Sequence, residues 1–234
     1  MDTRGEASVI DIAKAQDIAR AAGLELAYRA DVLTLSDGAM DLCADFSRML
    51  PRIKPGRLQK ELLVRAARCR GVESPHAIDA TAGFGEDSFL LAAAGFQVDL
   101  FERDEVIAAL LADALSRATS DDRTAAIVTR MTLHTDDSVT ALRAMAECDE
   151  SPDVVYLDPM FPGRTKSAAV KKKFQLLHHL ERPCEDEEGL VAAALDVHPR
   201  KLVIKRPPKG PLLAGIKPSY KISGKAVRYD VIVH

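Results

Sequence analysis

The chain has 234 residues, 47% hydrophobic and 29% charged, with a formal net charge of −3. That length allows one large domain with a small appendage and excludes two full catalytic domains, while the composition excludes a mainly disordered chain. With no Trp and only 5% aromatic residues, the core must be built from Ala, Leu, Val and Ile.

Residues 8–22 carry Val9, Ile12, Ala15, Ile18, Ala19 and Ala22 at helical spacing, and Gly23 is the stop. The period then shortens. Residues 24–28, 32–35 and 40–46 are roughly alternating runs separated by turn signals at Ala30-Asp31 and Asp37-Gly38. A small helix and β-meander over residues 1–50 therefore precede a main domain over residues 51–234. The connector at residues 51–56 is basic and holds two prolines, and residues 58–69 resume helical spacing.

From His76 the chain alternates strand and helix. Strands are expected at residues 77–80, 97–101, 131–134, 154–157 and 202–205, with helices at 87–94, 106–118, 139–145 and 190–195. Such alternation predicts an α/β fold with a mainly parallel sheet. Residues 220–223 and 227–233 break it: two strand-like runs flank Gly224-Lys225 with no helix between, which predicts a terminal antiparallel hairpin.

Three loops carry candidate chemistry. The first, from Asp79 to Asp87, follows a strand and opens a helix, and its Gly83 and Gly85 permit a tight turn and close approach of a ligand. A pyrophosphate loop would have a third glycine where Ser88 stands. Glu86 and Asp87 would repel pyrophosphate but suit the ammonium and sulfonium of S-adenosylmethionine. Seventeen residues past Gly85, Glu102 ends the next strand and can accept from both hydroxyls of an adenosine ribose. After the following strand, Asp136, Asp137 and Ser138 offer a carboxylate to an adenine amino group; Asp137 is the better placed, and Asp136 reads equally as a helix cap.

The third loop is the most specific. The apolar strand ending at Leu157 delivers Asp158 to a sheet edge, and Pro159 and Pro162 stiffen the loop beyond it. The Asp158 carboxylate and Pro159 carbonyl can hold the two hydrogens of an exocyclic amine while Phe161 stacks on its ring. None of the three loops selects the acceptor molecule.

Charge distribution bears on that choice. Residues 48–70 hold eight Lys/Arg and one acid, residues 164–173 five and none, and residues 199–234 nine and one. If these segments converge they form a basic face for a polyanion. The alternative is separate solvated faces.

The segments Asp-Ala-Thr-Ala-Gly-Phe-Gly (79–85), Tyr-Leu-Asp-Pro-Met-Phe-Pro (156–162), Lys166-Ser-Ala, Val170-Lys-Lys and Val203-Ile-Lys-Arg-Pro together resemble the ribosomal RNA small subunit methyltransferase J family. The resemblance covers roughly residues 40–234. It implies a Rossmann-like class I methyltransferase fold that uses S-adenosylmethionine and no metal. It also implies methylation of a guanine N2 amine in small-subunit ribosomal RNA, free or in the assembled subunit. By that resemblance the cofactor is held by Glu86, Asp87, Glu102, Arg103, Asp137, Ser138 and Asp158, with Asp79 and Asp136 added from the loop reading. Glu86 replaces the family's usual arginine, and the Asp136-Asp137 pair stands where small hydroxyl residues are usual. Proposed phosphate contacts are Arg164, Lys166, Lys171, Lys172, Lys205 and Arg206, with Arg52, Lys54 and Arg57 further out.

The rival readings are a methyltransferase for another amine (a DNA base, protein glutamine or a small molecule), a nicotinamide dehydrogenase, and a non-catalytic RNA-binding or assembly factor. An acidic start without an apolar run, four scattered cysteines and no long apolar stretch lead to the expectation of a cytoplasmic protein with reduced thiols and no membrane partner; the sequence leaves the oligomeric state open, with a monomer favoured. His134, His178 and His179 match no recognised metal-ligand spacing.

Overall fold

The computed structural model describes residues 9–159 and 186–234. At the N-terminus, helix α1 (Ile12–Ala21), capped by Asp11, leads into β1 (Glu25–Arg29), β2 (Val32–Ser36) and the two-residue β3 (Asp41–Leu42). The three strands form their own antiparallel sheet. Ala30 and Asp31, at φ 46° and 63°, make the tight turn whose twist suits a two-residue hairpin.

The expected strand over residues 40–46 is cut short. Asp45 accepts from the Ser47 N–H at 2.9 Å and starts a 3-10 turn over Phe46–Met49. A local side-chain acceptor of this kind competes with sheet pairing.

The main unit comprises α2 (Leu62–Ala67), β4 (His76–Asp79), α3 (Glu86–Ala93), β5 (Gln97–Phe101), α4 (Glu105–Thr119), α5 (Ala125–Val128), β6 (Met131–His134), α6 (Ser138–Glu147), β7 (Val154–Leu157), α7 (Glu187–Asp196), β8 (Lys201–Arg206), β9 (Tyr220–Ser223) and β10 (Arg228–Val233). Its seven strands run in the order β6-β5-β4-β7-β8-β10-β9. The first five are parallel, and the hairpin β9-β10 adds antiparallel strands against β8.

Both faces of the sheet are covered at β7, whose four residues are all buried and read as an unbroken apolar run. Along β7, Val154 and Tyr156 join the core shared with α3 and α4, whereas Val155 and Leu157 join the one beneath α6 and α7. The N-terminal elements share the first of these cores: Leu33 and Leu35 are fully buried in the cluster that holds Leu110 and Leu111. Arg117 on α4 donates to the Ala44 carbonyl at 2.6 Å, and Asp113 accepts from the Leu33 N–H at 3.3 Å.

Strand order decides where a ligand sits. The chain builds outward from β4 through β5 to β6, then returns to place β7 on the other side of β4. The loops after β4 and β7 therefore diverge, opening a crevice at the carboxyl ends of the strands, the usual ligand position in open α/β sheets. Among the described residues, no helix is long and apolar enough to cross a membrane, and Cys43, Cys69 and Cys148 are free thiols.

Candidate active site

The loop after β4 is fixed from within. Asp79 is 1% exposed and accepts from the Ser88 hydroxyl and, at 3.1 Å, from the Thr81 N–H. Burial pushes its carboxyl up to about 7 against those two hydrogen bonds, and the neighbouring carboxylates Asp87 and Asp158 add to the rise. Thr81 also joins the two loops: its hydroxyl oxygen accepts from the Asp158 N–H at 2.7 Å.

Gly83 and Gly85 both have positive φ, 55° and 69°, but they do different work. A Cβ at Gly83 would meet nothing within 4 Å, whereas one at Gly85 would stand 2.8 Å from Leu111 Cδ1. Gly83 faces open space where a ligand can approach. Gly85 carries a packing constraint as well, because α4 and the 3-10 turn at Phe46 press against the place a side chain would take.

Gly83 also meets the second predicted site. Its N–H donates to Glu102 Oε2 at 2.9 Å, and the Asp104 N–H donates to Oε1 at the same distance. Two backbone donors thus aim the Glu102 carboxylate at the end of β5. Exposed Arg103 lies beside it, 4.0 Å from Asp137 Oδ1. The cap of α6 is Asp137, which accepts from the Thr140 N–H at 3.2 Å, and Ser138 is the first helical residue. Asp136, the residue whose sequence context suggests a cap, is exposed and stands one position too early.

The strongest electrostatic feature lies between the β4 and β7 loops. Lys205 Nζ, from β8, is 2.5 Å from Asp87 Oδ2 and 2.7 Å from Asp158 Oδ2. The Tyr156 hydroxyl donates to the same Asp87 oxygen at 2.7 Å. Burial alone would raise the Asp87 carboxyl, but the charge and hydrogen bond of Lys205, helped by Tyr156, hold it below its ordinary value. Burial would lower the Lys205 ammonium; the two carboxylates outweigh it and raise it well above the lysine range. Two carboxylates around one ammonium leave the cluster net negative, a field that suits a cation.

This geometry corrects two expected phosphate contacts. The Lys205 side chain is 17% exposed and held by its carboxylates, and Arg206 is 1% exposed with Nε donating to the Pro211 carbonyl. Of the outer basic residues, Lys54 and Arg57 are exposed, and partly buried Arg52 is paired with Glu61 through two contacts at 3.0 and 2.7 Å. Phe161, Arg164, Lys166, Lys171 and Lys172 lie outside the described residues, as do His178 and His179. His134 is taken up by the fold: it stacks on Phe101 with ring centroids 4.8 Å apart and meets Asp99 at 2.9 Å.

Sequence reasoning missed Thr81 and Tyr156. The signal for Tyr156 was present, since a tyrosine inside a fully apolar strand needs a partner for its hydroxyl.

Comparison with known proteins decides what this crevice belongs to. Residues 16–234 match the family model described as "Putative SAM-dependent methyltransferase". A ribosomal RNA small subunit methyltransferase J from Thioalkalivibrio sulfidiphilus is 43% identical over 213 residues, covering 90% of this chain and 81% of the relative. The protein of the same name from Pseudoalteromonas atlantica is 46% identical over 178 residues, 74% of this chain and 68% of the relative.

The chain belongs to the ribosomal RNA small subunit methyltransferase J family.

A crystal structure of a SAM-dependent methyltransferase from Neisseria gonorrhoeae superposes with a TM-score of 0.73 at 29% identity, covering 100% of this chain and 93% of that one. Membership makes the chain an S-adenosylmethionine-dependent methyltransferase with a Rossmann-like class I fold. The crevice fits that cofactor: open space at Gly83, a backbone-aimed carboxylate at Glu102 and net negative charge around Asp87 and Asp158.

Proposed function

We propose that this methyltransferase modifies the exocyclic N2 amine of a specific guanine in small-subunit ribosomal RNA, acting as a monomer on the RNA, free or in the assembled subunit. The observation that carries the reading is the fastening of the Asp158 loop to the cofactor loop through Thr81 and Lys205, which sets an amine-binding carboxylate beside the crevice that suits the methyl donor. The names of the relatives supply the class of acceptor.

Bound S-adenosylmethionine supplies an electrophilic methyl group on a sulfonium. Within this chain, Glu102 takes the ribose hydroxyls, and Gly83 lets the backbone pass close to the cofactor. Arg103, Asp136, Asp137 and Ser138 line the adenine side. Glu86 and Asp87 set the acidic field at the amino-acid and sulfonium end, and Asp79 holds the cofactor loop in place through Ser88 and Thr81.

Asp158 and the Pro159 carbonyl accept the two N–H groups of the guanine amine, which aims its lone pair along the sulfur-to-methyl axis, and Phe161 stacks on the base. Alignment supplies most of the rate. The amine proton leaves after the nitrogen has acquired positive charge, so no strong general base is needed. Lys205 is a positioning residue: it fixes the Asp158 carboxylate and leaves the cluster net negative. Arg52, Lys54, Arg57, Arg164, Lys166, Lys171 and Lys172 are the proposed phosphate contacts.

Mass mapping of small-subunit RNA from cells lacking the protein tests the reading. One guanine is expected to lose a single methyl group and regain it on complementation; RNA identical to that of the parent strain would overturn the proposal.

A further inference from the structure

Two of the basic segments do converge, at the edge of the sheet opposite the crevice. A cavity of about 640 Å³ lies among Arg65, Arg68, Arg70, Arg200, Lys201 and Tyr220. Lys201 opens β8, Tyr220 opens β9, and Arg65 and Arg68 stand at the end of α2, so the cavity occupies the amino ends of the parallel strands. Residues 65–70 and 200–201 come from segments some 130 positions apart in the chain.

The cavity is charged by construction. Lys201 Nζ donates to the carbonyls of Ala66 and Arg68 at 3.1 and 2.7 Å, so it pins the end of α2 to the sheet. Arg200 is 2.9 Å from Asp153. Arg65, Arg68 and Arg70 are exposed and make no ion pair among the described residues. Three guanidinium groups thus face a concave surface whose lining side chains include no acid. Each presents a planar fork of donors that matches a phosphate.

Tyr220 supplies the other half of a nucleotide site. It is 38% exposed on an edge strand, and its ring lies 5.8 Å from Lys201 Nζ. An exposed ring beside arginines is the arrangement on which single-stranded bases stack while their phosphates are neutralised. The volume is that of a small-molecule pocket and admits a nucleotide.

We propose that this cavity is a second RNA-binding site, taking a single-stranded segment of the acceptor RNA through phosphates on Arg65, Arg68 and Arg70 and one base on Tyr220. It rests on the reading of the acceptor as RNA. Strands of four to six residues separate it from the crevice by ~13–20 Å. RNA held there is anchored away from the reacting guanine, so the site contributes affinity and register rather than chemistry.

The test uses the full chain and a 3′ fragment of small-subunit RNA, with affinity measured across a salt series. The triple variant Arg65→Gln, Arg68→Gln, Arg70→Gln is expected to flatten the slope of log affinity against log salt by about 2, at about 0.7 per single-strand phosphate contact. S-adenosylmethionine affinity and thermal midpoint should stay at wild-type values. Tyr220→Ala is expected to weaken RNA binding about tenfold, and Tyr220→Phe to retain it. An unchanged slope in the triple variant overturns the site. So does a triple variant that loses only thermal stabilisation by inorganic phosphate while binding RNA as wild type does. Failure of the underlying reading looks different: the wild type would bind RNA with the predicted slope yet transfer no methyl group to it.

Discussion

Lys205 Nζ sits 2.7 Å from Asp158 Oδ2 while also contacting Asp87, so one ammonium fastens the end of β7 to the first turn of α3. Removing it leaves two carboxylates facing each other at a mostly buried position. Lys205→Met is expected to cost about 3 kcal/mol of stability by urea unfolding, the scale of a broken buried pair. Adding Asp87→Asn to that variant should recover part of the loss. Additive losses in the double-mutant cycle would show that the pair is not coupled.

Asp79 gives a pH signature. Its folded-state carboxyl lies at about 7, above the unfolded value, so the folded protein binds the proton more tightly. Its contribution is fully present below the unfolded value of about 4 and is lost as the pH rises through about 7. Asp79→Asn removes this loss. The stability difference between variant and wild type should move in favour of the variant by on the order of 1 kcal/mol per pH unit across that window, then level off. A pH-independent difference would contradict the shift.

The two glycines separate by experiment. Gly85→Ala forces a Cβ onto Leu111 at positive φ and should destabilise the fold by about 2–4 kcal/mol. Gly83→Ala carries only the backbone penalty, about 1–2 kcal/mol, and should instead weaken S-adenosylmethionine binding in calorimetry. Similar effects from both substitutions would remove the distinction.

Asp137 and Asp136 also separate. Asp137→Ala loses the cap of α6 and should cost about 1 kcal/mol, whereas Asp136→Ala should lie within about 0.5 kcal/mol of wild type. Chemical denaturation of the two variants checks the assignment.

Much of the fold was legible because its signals are local. The spans of β5, β6, β7 and β9 coincide with the apolar runs read from sequence, and Gly224 marked the terminal hairpin. Side-chain direction was harder to read. In β8, Leu202, Val203 and Ile204 are all buried, so the run shows no alternation that would reveal Lys205 turning inward toward Asp87. Gly83 and Gly85 look alike in sequence, and only the approach of Leu111 from α4 tells them apart. The short α5 carries too few residues for a period, and the basic cavity joins segments too distant in the chain for any local pattern to pair them.

The most direct measurement is methyl transfer from labelled S-adenosylmethionine to small-subunit RNA, with the product nucleoside identified by mass, for wild type and Asp158→Ala. The expected result is N2-methylguanosine from the wild type and a loss of at least about a hundredfold in rate for the variant, with its fold retained. Methylation at another atom, or a variant as active as the wild type, would contradict it.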